Sequence, residues 1–273
     1  MNFKKRIFIL FSLLLFIVSF SNSSNLVNIS FEKSYYVSRI IDGDTIRVFY
    51  EGDEVSVRFI GIDTPETHSG DKPLGELGEK AYWFTRNKIN TENLNKSRVF
   101  LEFDSDKSGY YGRLLAYVYY KDKEGNLHFL NKEIMENGYA RPLFYDDTSK
   151  HKEDFIEAYK SAFENRKGIF SFYDSKDREV LDTQLSKEDI GKIRWVIFNV
   201  KNVSSSGSFL KIESQDSSFY VTIRRNEYNA FFDSLNIYDL KDKKIKVYGE
   251  VWKDKYGKFE ILARAEFEFV VIK

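Results

Sequence analysis

The sequence predicts an α+β protein made of β-barrels that carry helices, with two such barrels in tandem. Three observations lead there. Short runs rich in β-branched and aromatic residues, separated by turn residues, recur along the chain. Segments with helical spacing interrupt those runs in the first two thirds. After a polar, highly charged stretch at 171–188 the strand pattern returns, as five strands with one helix between the third and the fourth.

The elements follow in chain order. Lys4, Lys5 and Arg6 precede an unbroken run of apolar residues and serines over 7–20, and small polar residues follow. This is the order of a secretory signal peptide. The run has 14 residues, whereas a membrane-spanning helix needs about 20. Residues 1–23 are therefore expected to be a cleaved signal, with an uncleaved signal anchor as the alternative, and the protein to be secreted or at the cell surface. No Cys follows the run, which excludes a lipoprotein anchor. Residues 36–41, 45–50 and 55–62 read as a three-strand meander, with Asp42-Gly43-Asp44 and Glu51-Gly52-Asp53 as its turns. A helix is expected over 79–89, with Ala81, Phe84, Thr85 and Lys88 at roughly helical spacing. Strands at 99–103 and 114–120 flank a polar loop. A short helix over 131–137 stops at Gly138. A further helix over 152–166 puts Phe155, Tyr159, Ala162 and Phe163 on one face. The domains are then 35–173, a linker at 174–188, and 189–273.

Composition narrows the function classes. Basic and acidic residues number 42 each, so the net charge is zero. A generic nucleic-acid binder carries a basic excess; any polyanion site here must be a local patch or must use a bound cation. Signal cleavage would leave the chain about three charges negative. There are no cysteines, which excludes disulfides, thiol nucleophiles and thiolate metal sites. The three histidines, His68, His128 and His151, are expected at the surface.

The residues able to carry chemistry cluster near strand ends. Asp42, Asp44, Asp63 and Glu66 are acidic residues in or beside turns, where such residues are common as turn formers. Asp44 and Asp63 could equally offer carboxylates, and Thr64 a carbonyl, to a hard cation that takes oxygen ligands. Arg58 lies between Val57 and Phe59 on a strand with one buried face. A charge there needs a structural partner or a ligand. Arg113 follows Tyr111-Gly112 directly before an apolar strand, and a guanidinium fork suits phosphate.

These residues match a family. Ile41-Asp42-Gly43-Asp44-Thr45, then Arg58-Phe59-Ile60-Gly61-Ile62-Asp63-Thr64-Pro65-Glu66-Thr67, then Tyr111-Gly112-Arg113-Leu114-Leu115-Ala116-Tyr117 resemble the thermonuclease (staphylococcal nuclease) family over about 35–172. The resemblance implies an OB-fold nuclease domain, a Ca2+ cofactor and hydrolysis of phosphodiester bonds in DNA and RNA. It implies Asp44, Asp63 and Thr64 as metal ligands, Arg58 and Arg113 as phosphate binders, and Tyr111 as a substrate contact. Glu66 is implied as the residue acting on the attacking water, either as general base or as holder of a metal-bound water. The chain departs from the family's best-known member at Tyr110, which replaces a Lys, at Phe144, which stands where a Tyr is expected, and in a less basic 68–73 loop. A nuclease-like fold that binds without cleaving is the rival reading, but such modules lose the carboxylates and arginines that are all present here. A monomer with no stable protein partner is expected.

The second part resembles, in strand order, an OB-fold barrel. It has no catalytic constellation. Trp195, Phe209, Tyr220, Arg224, Arg225 and Tyr248 are candidates for binding nucleic acid. Alternatively these aromatics are core and the domain packs on the nuclease.

Overall fold

The computed structural model describes residues 33–68, 74–89, 97–105, 107–109, 112–145 and 150–272. The expected signal at 1–23 lies outside them, as do Tyr110 and Tyr111. The expected meander is present as β1 (Ser34–Asp42), β2 (Thr45–Tyr50) and β3 (Asp53–Phe59). The third strand was expected to run on to Ile62. It breaks instead, and β4 (Gly61–Asp63) leaves the barrel. Gly61 has φ +80°, and a Cβ there would lie 2.2 Å from the Phe155 ring, so only glycine permits the bend.

Helix α1 (Gly78–Lys88) buries Ala81 and Thr85. β5 (Arg98–Glu102) and β6 (Leu114–Lys121) complete a ring in the order β1-β2-β3-β6-β5, with β3 and β6 parallel. β7 (Leu127–Phe129) and β8 (Arg141–Leu143) are short strands that the pattern did not signal. They flank α2 (Leu130–Glu136), and α3 (Lys152–Glu164) follows. β8 pairs with β4, placing Arg141 opposite Asp63.

The segment 174–188 is folded. Its β9 (Glu179–Leu181) runs parallel to β10 (Ile193–Ser206), and Arg178 grips Glu76 of the first barrel with both terminal nitrogens, at 2.7 and 2.9 Å. After β10 come β11 (Phe209–Ser214), β12 (Phe219–Arg224), α4 (Arg225–Phe231), β13 (Lys244–Lys253) and β14 (Phe259–Ala263). These strands close a second ring, β10-β11-β12-β14-β13, with β12 and β14 parallel. Its strand order repeats that of the first ring, with a helix between the third and fourth strands of each. β14 is followed by a short 3-10 turn and then by β15 (Phe269–Val271).

The rings meet through aromatic packing and buried hydrogen bonds. Phe144 stacks on Phe231 and Phe163 on Phe267, at 6.0 and 4.2 Å between centroids. Tyr159 donates to Glu268 at 2.5 Å. Tyr248 donates to the Ile169 carbonyl and the Trp195 indole to the Tyr173 carbonyl, both at 2.6 Å. This corrects part of the sequence reading: Trp195, Tyr220 and Tyr248 are buried. Trp195 and Tyr248 belong to the seam between the rings and are closed to a ligand. An indole or phenol buried in this way needs a polar partner, and backbone carbonyls of the first domain supply it.

His151 is a second correction, since its side chain is only 16% exposed. It contacts Glu102 at 2.9 Å and Asp154 at 3.2 Å, with the Tyr117 ring edge-on at 4.6 Å. Burial opposes its charge, but the two carboxylates outweigh burial and raise its pKa. Burial likewise opposes charge on Glu102, yet bonds from His151, Lys150 and Tyr119 bring it down to about 2. Linkage fixes the sign of each contribution. The Glu102 contribution is complete above the ordinary carboxylate range, about 4.3, and is lost as the pH falls toward about 2. The His151 contribution is complete below about 6.5 and is lost as the pH rises through its raised value. In thermal melts against pH, His151→Gln should therefore flatten the decline on the alkaline side. Parallel alkaline limbs for the two proteins would show that His151 stores no stability there.

Candidate active site

The β1–β2 turn is set by side chains at both ends. Asp42 accepts the Asp44 amide at 3.1 Å, closing an Asx-type turn. A Cβ on Gly43 would lie 2.7 Å from Ala81 and 2.8 Å from Thr64, so glycine lets α1 and the β4 exit press on the turn. Thr85 of α1 clamps it by donating to the Gly43 carbonyl at 2.6 Å.

Asp44 is thereby carried inside, at 3% exposure. One of its oxygens accepts the Thr45 hydroxyl at 3.0 Å. The second accepts the Thr64 amide at 2.7 Å and the Thr64 hydroxyl at 2.9 Å, and pairs with Arg58 Nη1 at 2.9 Å. Burial pushes Asp44 up to about 7, with Asp42 and Asp63 adding to the rise and Arg58 opposing it. A buried acidic cluster of this kind gains from a positive charge.

Arg58 ties the pocket together. Nη1 also donates to the Ile62 carbonyl at 2.9 Å, and Nη2 donates to Asp63 Oδ1 at 3.2 Å. Burial opposes its charge, but Asp44, Asp63, Asp42 and Glu66 together raise its pKa, so the guanidinium stays charged. Glu66 follows three residues after Asp63, where Gly78 packs so closely on the Glu66 carbonyl that a Cβ would lie 2.1 Å from it. Glu66 also lines a cavity of about 620 Å³ together with Arg39, Tyr82, Trp83 and Arg86. Arg113 precedes β6 by one residue. β6 runs beside β3 with Leu115 opposite Arg58, so the two arginines enter from adjacent strands.

The structure thus gathers Asp44, Asp63, Thr64 and Arg58 directly, with Glu66 on the same exit and Arg113 just ahead of the neighbouring strand. Tyr111 lies outside the described residues. No three His, Asp or Glu side chains converge on one ion position among the described residues. Carboxylates and a backbone carbonyl are the oxygen donors a hard cation takes; here the Asp44 and Asp63 oxygens are engaged by Thr45, Thr64, Arg58 and Arg264.

Arg264, just after β14, was not anticipated. It is fully buried, and its Nη2 donates to Asp63 Oδ2 at 3.0 Å. Its Nη1 lies 3.6 Å from the fully buried Glu227. Asp63 is therefore held on one oxygen by Arg58 and on the other by the second barrel. Arg141, opposite Asp63, pairs at 3.1 Å with Glu250 of β13. The signal was available in Ala263-Arg264-Ala265, a charge inside an apolar run, which is the logic that singled out Arg58.

Comparison with known proteins places this site in context. Residues 56–172 match the family model described as staphylococcal nuclease homologue. The thermonuclease of Staphylococcus hyicus is 38% identical over 140 residues, 51% of this chain and 77% of that protein. The thermonuclease of Staphylococcus intermedius is 36% identical over 138 residues, 50% of this chain and 76% of that protein. Endonuclease YncB of Bacillus subtilis (strain 168) is 34% identical over 152 residues, 55% of this chain and 64% of that protein.

Removing one member of a buried ion pair strands its partner, at a cost of about 3–5 kcal/mol. Arg264→Met should lower stability in denaturant by roughly that amount. Combined with Asp63→Asn it should cost clearly less than the sum of the single changes. Additive losses would mean that the two residues do not share an interaction.

Proposed function

The chain belongs to the staphylococcal nuclease homologue family and is a hydrolytic nuclease, and from that premise we propose that it is a secreted or cell-surface, calcium-dependent phosphodiesterase acting on DNA and RNA. The observation that carries this reading is Arg58, fixed between Asp44 and Asp63 beside Glu66. It sets a guanidinium within 2.9 and 3.2 Å of two carboxylates, which supports the roles proposed for them.

In this reading Asp44, Asp63 and the Thr64 carbonyl hold the calcium ion. When bound, it supplies Lewis-acid polarisation of a phosphate oxygen. Arg58 is positioned by the bonds of its terminal nitrogens to the carboxylates and to the carbonyls of Phe59 and Ile62, and its guanidinium is the donor offered to the substrate phosphate. Arg113 brings a second guanidinium from the residue just before β6. As negative charge grows on the equatorial oxygens of the phosphorus, bonds from both arginines strengthen, which is differential binding of the transition state. Glu66 orients the attacking water or takes its proton. Export rests on the charged, apolar and small-polar order of residues 1–23.

The test is degradation of DNA and of RNA with calcium and with chelator, followed by identification of the end that carries the phosphate. Cleavage that persists in chelator would remove calcium from the scheme, and nucleic-acid binding without any cleavage would favour a binding protein. Arg113→Ala should lower turnover on the order of 10²-fold or more with an unchanged melting temperature. Arg58→Ala should lose turnover and melt earlier, because Asp44 and Asp63 lose their shared counter-charge. Normal turnover in Arg113→Ala would take that residue out of the phosphate site.

A further inference from the structure

The matching strand order of the two barrels makes their positions comparable. In the first barrel, turn Asp42-Gly43-Asp44 joins the first two strands, and Thr45, the first residue of β2, pairs across with Arg58 of β3. In the second, Ser206, Gly207 and Ser208 span the corresponding join, and Phe209, the first residue of β11, pairs across with Arg224 of β12. Arg224 occupies in the second barrel the place that Arg58 occupies in the first. The aspartates of the turn are serines there, so the position keeps its cation without the turn carboxylates, and the acid that acts on it is Glu227 of α4.

The surroundings of Arg224 are open and aromatic. Leu210 and Ile223 point into the barrel core, and their neighbours Phe209 and Arg224 face outward. The Arg224 guanidinium lies 5.1 Å from the Phe209 ring and 5.5 Å from the Tyr145 ring. Phe209 is 38% exposed and Tyr145 51%. Its Nε is buried with no hydrogen-bond partner. The next residue, Arg225, is exposed and is steadied by the β10–β11 turn through Ser205 Oγ at 2.6 Å. Among the described residues neither arginine forms an ion pair, in a chain where acids and bases are equal in number.

The patch also touches the nuclease barrel. Tyr145 lies two residues beyond β8, the strand paired with the Asp63-bearing β4. The Phe144 amide before it donates to Glu227 at 2.8 Å, and the Phe144 carbonyl accepts from Asn226 at 3.4 Å. Tyr145 is thus secured against α4.

We propose that Tyr145, Phe209, Arg224 and Arg225 form a binding site for single-stranded nucleic acid that is separate from the cleavage site and has no catalytic or metal-binding role. The inference rests on the nuclease reading for the identity of the strand. Unpaired bases expose the ring faces that stack on Phe209 and Tyr145, and the two arginines meet the phosphates. A duplex offers no such faces. A strand held here and in the cleft at once gains effective concentration at the cleavage site.

The test uses the full chain in chelator, with fluorescence anisotropy of a labelled oligothymidylate of about 20 nucleotides, longer than the footprint of one barrel, which is about 4–16 nucleotides. Phe209→Ala and Arg224→Gln should each weaken binding about tenfold, the loss expected when one stacked base or phosphate contact goes. Arg225→Ala, a surface change with little risk to folding, should reduce the salt slope of binding by about one. With calcium, all three should cleave a nitrophenyl phosphodiester of a single nucleotide at the parent rate and long single strands less efficiently. Parent-level oligothymidylate binding by Arg225→Ala and Phe209→Ala would overturn the site while leaving the nuclease intact. Equal losses on duplex DNA would overturn the single-strand assignment. Failure of the parent to cleave any substrate would instead sink the nuclease reading.

Discussion

A carboxylate taken out of water must find its partners within the protein, and Asp44 imposes that demand on the structure around it. Its oxygens are filled by Thr45 at the start of β2, by Thr64 beyond β4 and by Arg58 on β3. Those groups lie up to 20 residues apart in sequence. Satisfying one buried acid therefore fixes the turn, the strand beside it and the exit from the barrel against each other. Arg58 extends the constraint to Asp63. The donors proposed for the metal and the cation proposed for the phosphate consequently share an anchor, and neither can shift without the other.

The constraint continues into the second barrel. Asp63 is completed by Arg264, and Arg141 opposite it by Glu250. Pairs this deeply buried contribute little net stability when intact, yet leave a stranded charge when broken. They act as a register device: the barrels must dock in one way for every charge to be met. Apolar packing supplies the affinity, through Phe144 on Phe231 and Phe163 on Phe267. Phe144 shows why a phenylalanine suits a position where the family resemblance suggests a tyrosine. It is buried against α4, where a phenol would need a further acceptor.

Much of this was legible in the sequence, and what was missed has common causes. The meander, the three helical segments of the first barrel and the five-strand order of the second part follow from alternation, turn residues and helical spacing, which are local properties. Asp44, Thr64, Arg58 and Asp63 were legible because they fall in two short sequence blocks and one of them is a charge in an apolar strand. β7, β8 and β9 have three residues each, too few for a period to register. The seam was hidden for a different reason. Alternation shows that Trp195 and Tyr248 share a face with other residues, but only docking decides whether that face meets water or another domain. Arg264 carried the same signal as Arg58, yet its partner lies 201 residues away.

The repeated strand order also bears on how a chain with no net charge can handle a polyanion. Charge balance over the whole chain says little when most charges are neutralised locally. In the first barrel the arginine at the third strand is held by aspartates, so it is positioned firmly and its field is largely cancelled until a cation or phosphate redistributes it. In the second barrel the same position has serines in its turn and aromatic neighbours, and no turn carboxylate cancels its charge. One architecture thus presents one position in two electrostatic states. The masked arginine suits chemistry, where groups must be fixed and bonds must strengthen only as charge develops. The open arginine suits capture, where attraction must act before contact is made. That division requires no excess of basic residues, only a different residue at each of two turn positions.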